Sequence, residues 1–288
     1  MGVRTQDPSL RVGPRDQHSP NTRQARPYGK GFGMASVYEV VQLWEKAVAR
    51  WRGGDDTLPE PLQRWRDSYE GQGEGQVDLA AMPEPYLGSW DRAKAAMLAA
   101  HPGRVFGRYQ HRSGIFEHAI ARAGSYQMWA SRWPFVTPPW TNEHPPVRHA
   151  TARLRFLQHW FDAPKLSFDA MLGVELYPWH VATATAPMRP PPDIVRDYIW
   201  APLVQSGITI AFAFGAPWFE MLEDHLDLKV VARLGAGSDD YGSRVESRAV
   251  LVCEAPSGLR VIAEKHLGSA GPPAADETNL LRETIERL

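Results

Sequence analysis

The stretch Ala93-Lys-Ala-Ala-Met-Leu-Ala-Ala-His-Pro-Gly103 constrains the fold of this chain more than any other. Its apolar residues are small, and it stops abruptly at His101-Pro102-Gly103. A segment of that kind reads as a buried strand that delivers a tight loop to the top of a sheet. Pro102 and Gly103 fix the loop, and His101 just before them is aimed at whatever binds there. An α/β fold builds its sites at such carboxyl ends. The run Met82-Pro-Glu-Pro-Tyr-Leu-Gly88 leads into this strand.

Elsewhere strand and helix patterns alternate. Helices are expected at Ile115–Trp129, Arg148–Phe161 and Asp193–Val204, and further strands at Phe168–Leu176 and Gly207–Phe214. Gly215-Ala-Pro217 turns the latter into a helix over Trp218–Leu226. Val245–Cys253 and Leu259–Ala263 read as a hairpin around Pro256-Ser-Gly258, and a last helix opens at Asp276. Upstream, Ser36 is a helix cap before Val37, Val40, Val41, Trp44 and Val48, and Gly53-Gly54 ends that helix. A short helix over Pro61–Tyr69 and a linker at Gly71–Gly75 follow. This pattern predicts an α/β fold, a three-layer α/β/α sandwich around a central, mostly parallel sheet. The expected division is an arm over 1–34, a helical lead-in and linker over 35–80, and the α/β domain over 81–288.

The 288 residues are enough to bury a full core. The single cysteine, Cys253, excludes internal disulfides and any four-cysteine metal site. No apolar run approaches the roughly 18 residues of a membrane span, and the start has no signal-peptide pattern. The expectation is a cytoplasmic protein with no membrane partner. Charge is unevenly distributed. Arg4, Arg11, Arg15, Arg23, Arg26 and Lys30 face only Asp7 and Asp16 in the arm, while the whole chain carries −1. A basic, flexible arm is either a phosphate tether or a solvated tail.

Three strand ends carry the chemistry: His101-Pro-Gly103, Glu175-Leu-Tyr-Pro-Trp-His180, and Glu264-Lys-His-Leu-Gly-Ser-Ala-Gly-Pro-Pro273. Parallel strands bring these ends to one side. The expected crevice holds His101, Glu175, His180 and His266 and is walled by Phe106, Tyr177 and Trp179. Each residue also has a plainer role. His101 is then a loop residue, Glu175 a structural carboxylate paired with an arginine such as Arg189, and His266 with Lys265 a solvated pair. His180 reads as structural or phosphate-contacting. His144, His149 and His159 read as surface or loop residues, and Trp133, Trp140, Trp160 and Trp200 as packing. Arg148, Arg153 and Arg155 read as the wet face of a helix.

In their order, these motifs resemble the uracil-DNA glycosylase superfamily. Ala99-Ala-His-Pro-Gly103 stands where that family has Gly-x-Asn-Pro-Gly or Gly-x-Asp-Pro-Tyr. Glu175-Leu-Tyr-Pro178 stands at the base-reading strand end. Ile208–Gly215 with its helix is similar to the third motif, and His266-Leu-Gly-Ser-Ala-Gly271 to the final loop. The resemblance covers about residues 82–275 and implies a glycosylase-like fold that removes a flipped-out base from DNA. It implies that His101 orients the attacking water and that His266 stabilises charge on the departing base. Phe106 or Tyr109 would stack on that base, with Tyr177 and Trp179 around it. Arg104, Arg108, Arg112, Lys265 and Ser269 would hold phosphates. No metal or cofactor is implied, and a monomer is expected.

Two departures shift the expected substrate. Histidine replaces the family's Asn or Asp at 101, and Glu175 replaces its uracil-reading Asn. An ionised carboxylate only accepts hydrogen bonds, which suits the amino group of cytosine rather than uracil. A modified cytosine, such as glucosylated hydroxymethylcytosine in phage DNA, follows, and antiviral defence with it. Its bulk requires a wide pocket, which the Pro- and Trp-rich segment between Arg132 and Val147 would provide or cap. The alternatives are uracil or deaminated-base repair, a catalytically silent nucleic-acid-binding member, and an unrelated small-molecule enzyme.

Overall fold

The computed structural model describes residues 35–224, 228–235, 248–255, 258–266 and 271–288; the basic arm, Ser269 and the turn at Pro256-Ser257 lie outside them. Helix α1 (Val37–Arg52) begins as its sequence requires. The Ser36 hydroxyl accepts from the Glu39 amide, and the Glu39 carboxylate accepts from the Ser36 amide. Helix α2 (Glu60–Asp67) follows. Trp44 of α1, Trp65 of α2 and Trp179 meet as a trio with ring centres 5.7–6.0 Å apart. Residues 35–80 therefore share the core of the compact unit Met34–Leu288. The glycine-rich stretch at 71–75 is tied down rather than free. The Gln72 amide donates to the Thr185 hydroxyl at 3.1 Å, and the Tyr69 hydroxyl accepts from the Thr185 amide.

The sheet has seven strands: β1 (Tyr86–Leu87), β2 (Ala95–Ala99), β3 (Met171–Glu175), β4 (Ile210–Phe214), β5 (Lys229–Leu234), β6 (Arg248–Glu254) and β7 (Arg260–His266). Their order is β1-β3-β2-β4-β7-β6-β5. The four central strands β3, β2, β4 and β7 run parallel, and β1, β6 and β5 add antiparallel edges. β6 and β7 form the expected hairpin, with Glu254 opposite Arg260. Two strands escape the sequence reading: β1 is only two residues long, and β5 has no continuous buried face.

Helices cover both faces of the sheet. Ala96 and Leu98 of β2 point to α1, α2, α4 (Ile115–Ala123) and α5 (Tyr126–Ala130). Ala95 and Met97 point to α6 (Arg148–Trp160) and to the last helix, α10 (Ala275–Glu286). This period-two division is what a strand buried on both faces requires. The helix expected over Ile115–Trp129 breaks in two. Gly124 sits at φ +87, a conformation that favours glycine, and ends α4; the Ser125 hydroxyl then accepts from the Met128 amide to open α5. Between β1 and α4, the short α3 (Gly107–Gln110) follows the His101 loop. The run over 192–205 stays helical as α7 (Pro192–Val195), a π-turn (Arg196–Trp200) and α8 (Ala201–Gln205). Helix α9 (Ala216–Asp224) leaves directly from β4. Among the described residues no helix is long and apolar enough to cross a membrane.

Candidate functional site

In chain order the parallel strands read second, first, third, fourth, so the winding reverses between β2 and β4. Open α/β sheets bind ligands at the carboxyl ends of strands flanking such a reversal. A cavity of about 380 Å³ opens there, lined by Ala99, Ala100 and His101 beyond β2, by Phe214–Pro217 beyond β4, and by Arg153 of α6. A neighbouring cavity of about 270 Å³ shares Pro187, Met188, Ala216 and Pro217 with it and continues along Arg189–Pro192. The end of β2 is firmly held. The Trp218 indole donates to the Ala99 carbonyl at 2.7 Å, and the Leu176 and Tyr177 amides donate to Ala99 and Ala100.

His101 is half-buried at the cavity wall. The Gly103 amide donates to its Nδ1 at 3.0 Å, so that nitrogen is unprotonated and Nε2 carries the hydrogen. Burial, and then the neighbouring His180, lower its pKa and keep it neutral. Nε2–H is thus a donor. Such a donor can orient a water or hold an oxyanion, and with Nδ1 occupied by the Gly103 amide the ring has no free lone pair to take a proton.

Behind the loop, His180 is only 1% exposed. Its Nδ1 donates to the Gly103 carbonyl at 3.0 Å, and its Nε2 lies 3.4 Å from the Glu84 carboxylate. Burial works against its charge, but Glu84, the Gly103 carbonyl and Glu175 outweigh this and raise its pKa. Gln110, also buried, donates to Glu84 at 2.6 Å and accepts from the Phe106 amide at 2.7 Å.

Glu175 ends β3 on the face that holds Met171 and Gly173, the side of α6. Burial pushes its pKa up to about 7; Arg153 opposes this, Glu84 adds to it and His180 opposes it. Its Oε2 is buried without a hydrogen-bond partner among the described residues. The cation acting on it is Arg153, not Arg189, and Arg153 is no wet helix face: burial lowers its pKa and Glu175 opposes the shift. Glu175 itself is not a lining residue of the cavity; Arg153 is.

The aromatic walls need correcting. Tyr177 is fully buried, packed on Tyr69 and Trp179, and its hydroxyl donates to the Arg66 carbonyl at 2.6 Å. Trp179 belongs to the tryptophan trio, and Tyr109 is wedged among Phe116, Trp140 and His144. Their apolar rings reach more core area beneath the sheet edge than a crevice offers. Phe106 alone remains at the surface, 51% exposed and edge-on to Trp140 at 5.0 Å. The segment between Arg132 and Val147 buries Trp133, Phe135 and Trp140 and contributes no lining residue to the cavity.

The basic residues separate similarly. Arg104 is exposed on the loop between His101 and Phe106. Arg108 pairs with Glu143 at 2.7 Å, and Lys265 with Glu220 at 3.5 Å. Arg112 is committed to Asp56 and the Trp51 carbonyl, which anchors the chain to the end of α1 and withdraws it from any phosphate. His266 is described in its backbone only, opposite Arg248.

Glu84, Gln110 and Arg153 were missed by the sequence reading. Glu84 had a signal, since a carboxylate between two prolines in an otherwise apolar run needs a buried partner. Gln110 and Arg153 had none, because helical neighbours such as Arg148 and Arg155 look the same in sequence. No protein-family model and no curated protein matches this chain.

Proposed function

We propose that this chain is a DNA glycosylase of the uracil-DNA glycosylase type, hydrolysing the N-glycosidic bond of a flipped-out, modified pyrimidine. The observation that carries this reading is the cavity between the ends of β2 and β4, walled by a neutral His101 and by Arg153. Its volume is within the usual range for small-molecule pockets. The adjoining cavity leaves room for a substituent on the base. On the same loop, exposed Phe106 offers a stacking face and exposed Arg104 a phosphate contact.

The chemistry follows from these groups. A water held by the His101 Nε2–H attacks the anomeric carbon, and the bond from that carbon to the base nitrogen breaks. The electron pair leaves on the base, which takes the proton released by the water, and an abasic site remains. Arg153 donates to acceptors on the base and stabilises its negative charge. Glu175, which does not line the cavity, acts on the base through Arg153: when ionised it favours the charged guanidinium that faces the ligand.

The test is incubation with DNA containing uracil, cytosine, hydroxymethylcytosine or glucosylated hydroxymethylcytosine, followed by alkaline cleavage of abasic sites. Breaks confined to modified-cytosine DNA, and lost in Glu175→Ala and Arg153→Ala, support the reading. Breaks in uracil DNA alone replace it with uracil repair. DNA binding without breaks on any substrate replaces it with a silent binder.

A further inference from the structure

The cavity lining explains what His101 presents to a ligand but not what holds the ring in that state. The loop from His101 to Phe106 is short, follows a strand end and contains Pro102 and Gly103. Its local hydrogen bond from the Gly103 amide to His101 depends on how the Pro102–Gly103 peptide is turned. Gly103 sits at φ +85, where side-chain-bearing residues are strained, and open space surrounds the position of a Cβ. No side chain of its own therefore packs this residue into place.

We infer that Glu84, His180 and Gln110 form a buried clamp that fixes the His101 loop at two points and imposes the Nε2–H tautomer on His101. The first point is Gly103, held on both sides. The His180 Nδ1–H grips the carbonyl of its peptide to Arg104 at 3.0 Å, and the amide of the preceding peptide, from Pro102, donates to His101 Nδ1 at 3.0 Å, so the grip limits how far Gly103 can turn that amide away. The second point is the Phe106 amide, held at 2.7 Å by the Gln110 side-chain oxygen. Glu84 joins the two, accepting from Gln110 at 2.6 Å and facing His180 Nε2 at 3.4 Å. Glu84 is itself set by its amide, which donates to the Pro178 carbonyl at 2.8 Å.

Burial gives the clamp its stiffness. Glu84, Gln110 and His180 are all at most 5% exposed, so breaking a bond among them leaves a polar group without water to replace it. The charged and titratable groups acting on His180 are Glu84, Glu175 and His101. His180, Glu84 and Gln110 are positioning residues, because none lines the cavity. The clamp thus ties the histidine and the exposed aromatic of one loop to one buried cluster.

The inference builds on the proposed activity only in its kinetic arm, so the first test avoids activity. Histidine ring nitrogens are observed by NMR in the full chain labelled with 15N-histidine. In the unaltered protein, His101 must show an unprotonated Nδ1 and a protonated Nε2; the opposite tautomer overturns the clamp. His180→Phe removes the grip on Gly103, and His101 is expected to shift to an exchanging mixture of tautomers. His180→Asn restores a donor and should recover the single tautomer. Glu84→Gln removes the charge but keeps a hydrogen-bonding side chain, and should retain it as well. An unchanged His101 signal in a folded His180→Phe protein overturns the inference. If base release is found, His180→Phe should lower kcat by about 10- to 100-fold with KM little changed. An equal loss in His180→Asn would overturn the positioning role while leaving the glycosylase reading intact. A tautomer that responds as expected in a protein releasing no base would sink that reading and leave the clamp standing.

Discussion

Glu175 and Glu264 stand at the carboxyl ends of two parallel strands, on the same face of the sheet, yet their surroundings differ. Glu264, 2% exposed, is met by the Arg248 guanidinium at 3.3 Å, which also binds Glu277 at 3.1 Å. Burial raises Glu264 to about 8, with Arg248 opposing. Glu175 has a buried Oε2 without a partner among the described residues, and the arginine acting on it, Arg153, lines a cavity. Each acid keeps one buried oxygen without a partner among the described residues, Glu175 Oε2 and Glu264 Oε1; the difference is that Glu264 is also gripped by an arginine inside the fold, whereas the arginine acting on Glu175 stands at a cavity wall. Unanswered buried polar groups destabilise a fold and concentrate where ligands bind.

The largest expected effect separates the two arginines. Arg248→Met strips Glu264 and Glu277 of their shared cation and should cost about 3–5 kcal/mol in urea unfolding. Arg153→Met should cost about 1 kcal/mol or less, since Glu175 Oε2 makes no hydrogen bond that its loss would break. Equal losses would erase the distinction.

Next comes the sign of the carboxylate variants. Glu175 binds its proton up to about pH 7 when folded, against an ordinary carboxyl value of 4.5. Between these values the folded chain holds a proton that the unfolded chain has lost, so stability falls as pH rises through that window. Glu175→Gln should therefore stabilise the protein by about 1–3 kcal/mol at pH 8 and hardly at all at pH 4. Glu264, raised further to about 8, has the same sign, and its contribution to the slope extends to higher pH; Glu264→Gln should remove it, with the Arg248–Glu277 pair left in place. His180, raised when folded, contributes stability at acid pH that is lost as pH rises through its folded value. A downward slope that remains when Glu175→Gln and Glu264→Gln are combined, and is removed by His180→Asn, would be assigned to His180.

Smaller effects sharpen the boundary of the site. Tyr177→Phe removes the bond to the Arg66 carbonyl and should cost about 1 kcal/mol, with base release unaffected. Phe106→Ala should change stability by about 0.5 kcal/mol or less, as expected for a half-exposed ring, but weaken DNA affinity by about 1–3 kcal/mol. A Tyr177→Phe protein with normal stability and impaired base release would return that residue to the site.

The layout of the central strands was legible because it is local. Small apolar runs, β-rich segments and the Pro-Gly stops that end them are properties of neighbouring residues. His101 was legible for the same reason, being the polar residue at such a stop. The aromatic walls were misread because sequence shows that Tyr177 and Trp179 follow a strand but not that α1 and α2 fold over them. Arg112 looked like Arg104 until Asp56, far away in the chain, was found beside it.

By itself, the sequence determined that alternating strands and helices would build an α/β unit with a histidine loop at one strand's carboxyl end. Only the tertiary structure decided which side chains that loop would meet. Strand order brought β4 rather than β3 to the cavity side of His101. Long-range packing enclosed Glu84, Gln110 and His180 together and put Arg153, which acts on Glu175, at the cavity wall. The physical reason is that backbone preference and hydrophobic period act over a few residues. Burial, and with it the hydrogen-bond partners and charge state of each polar group, depends on segments far apart in the chain.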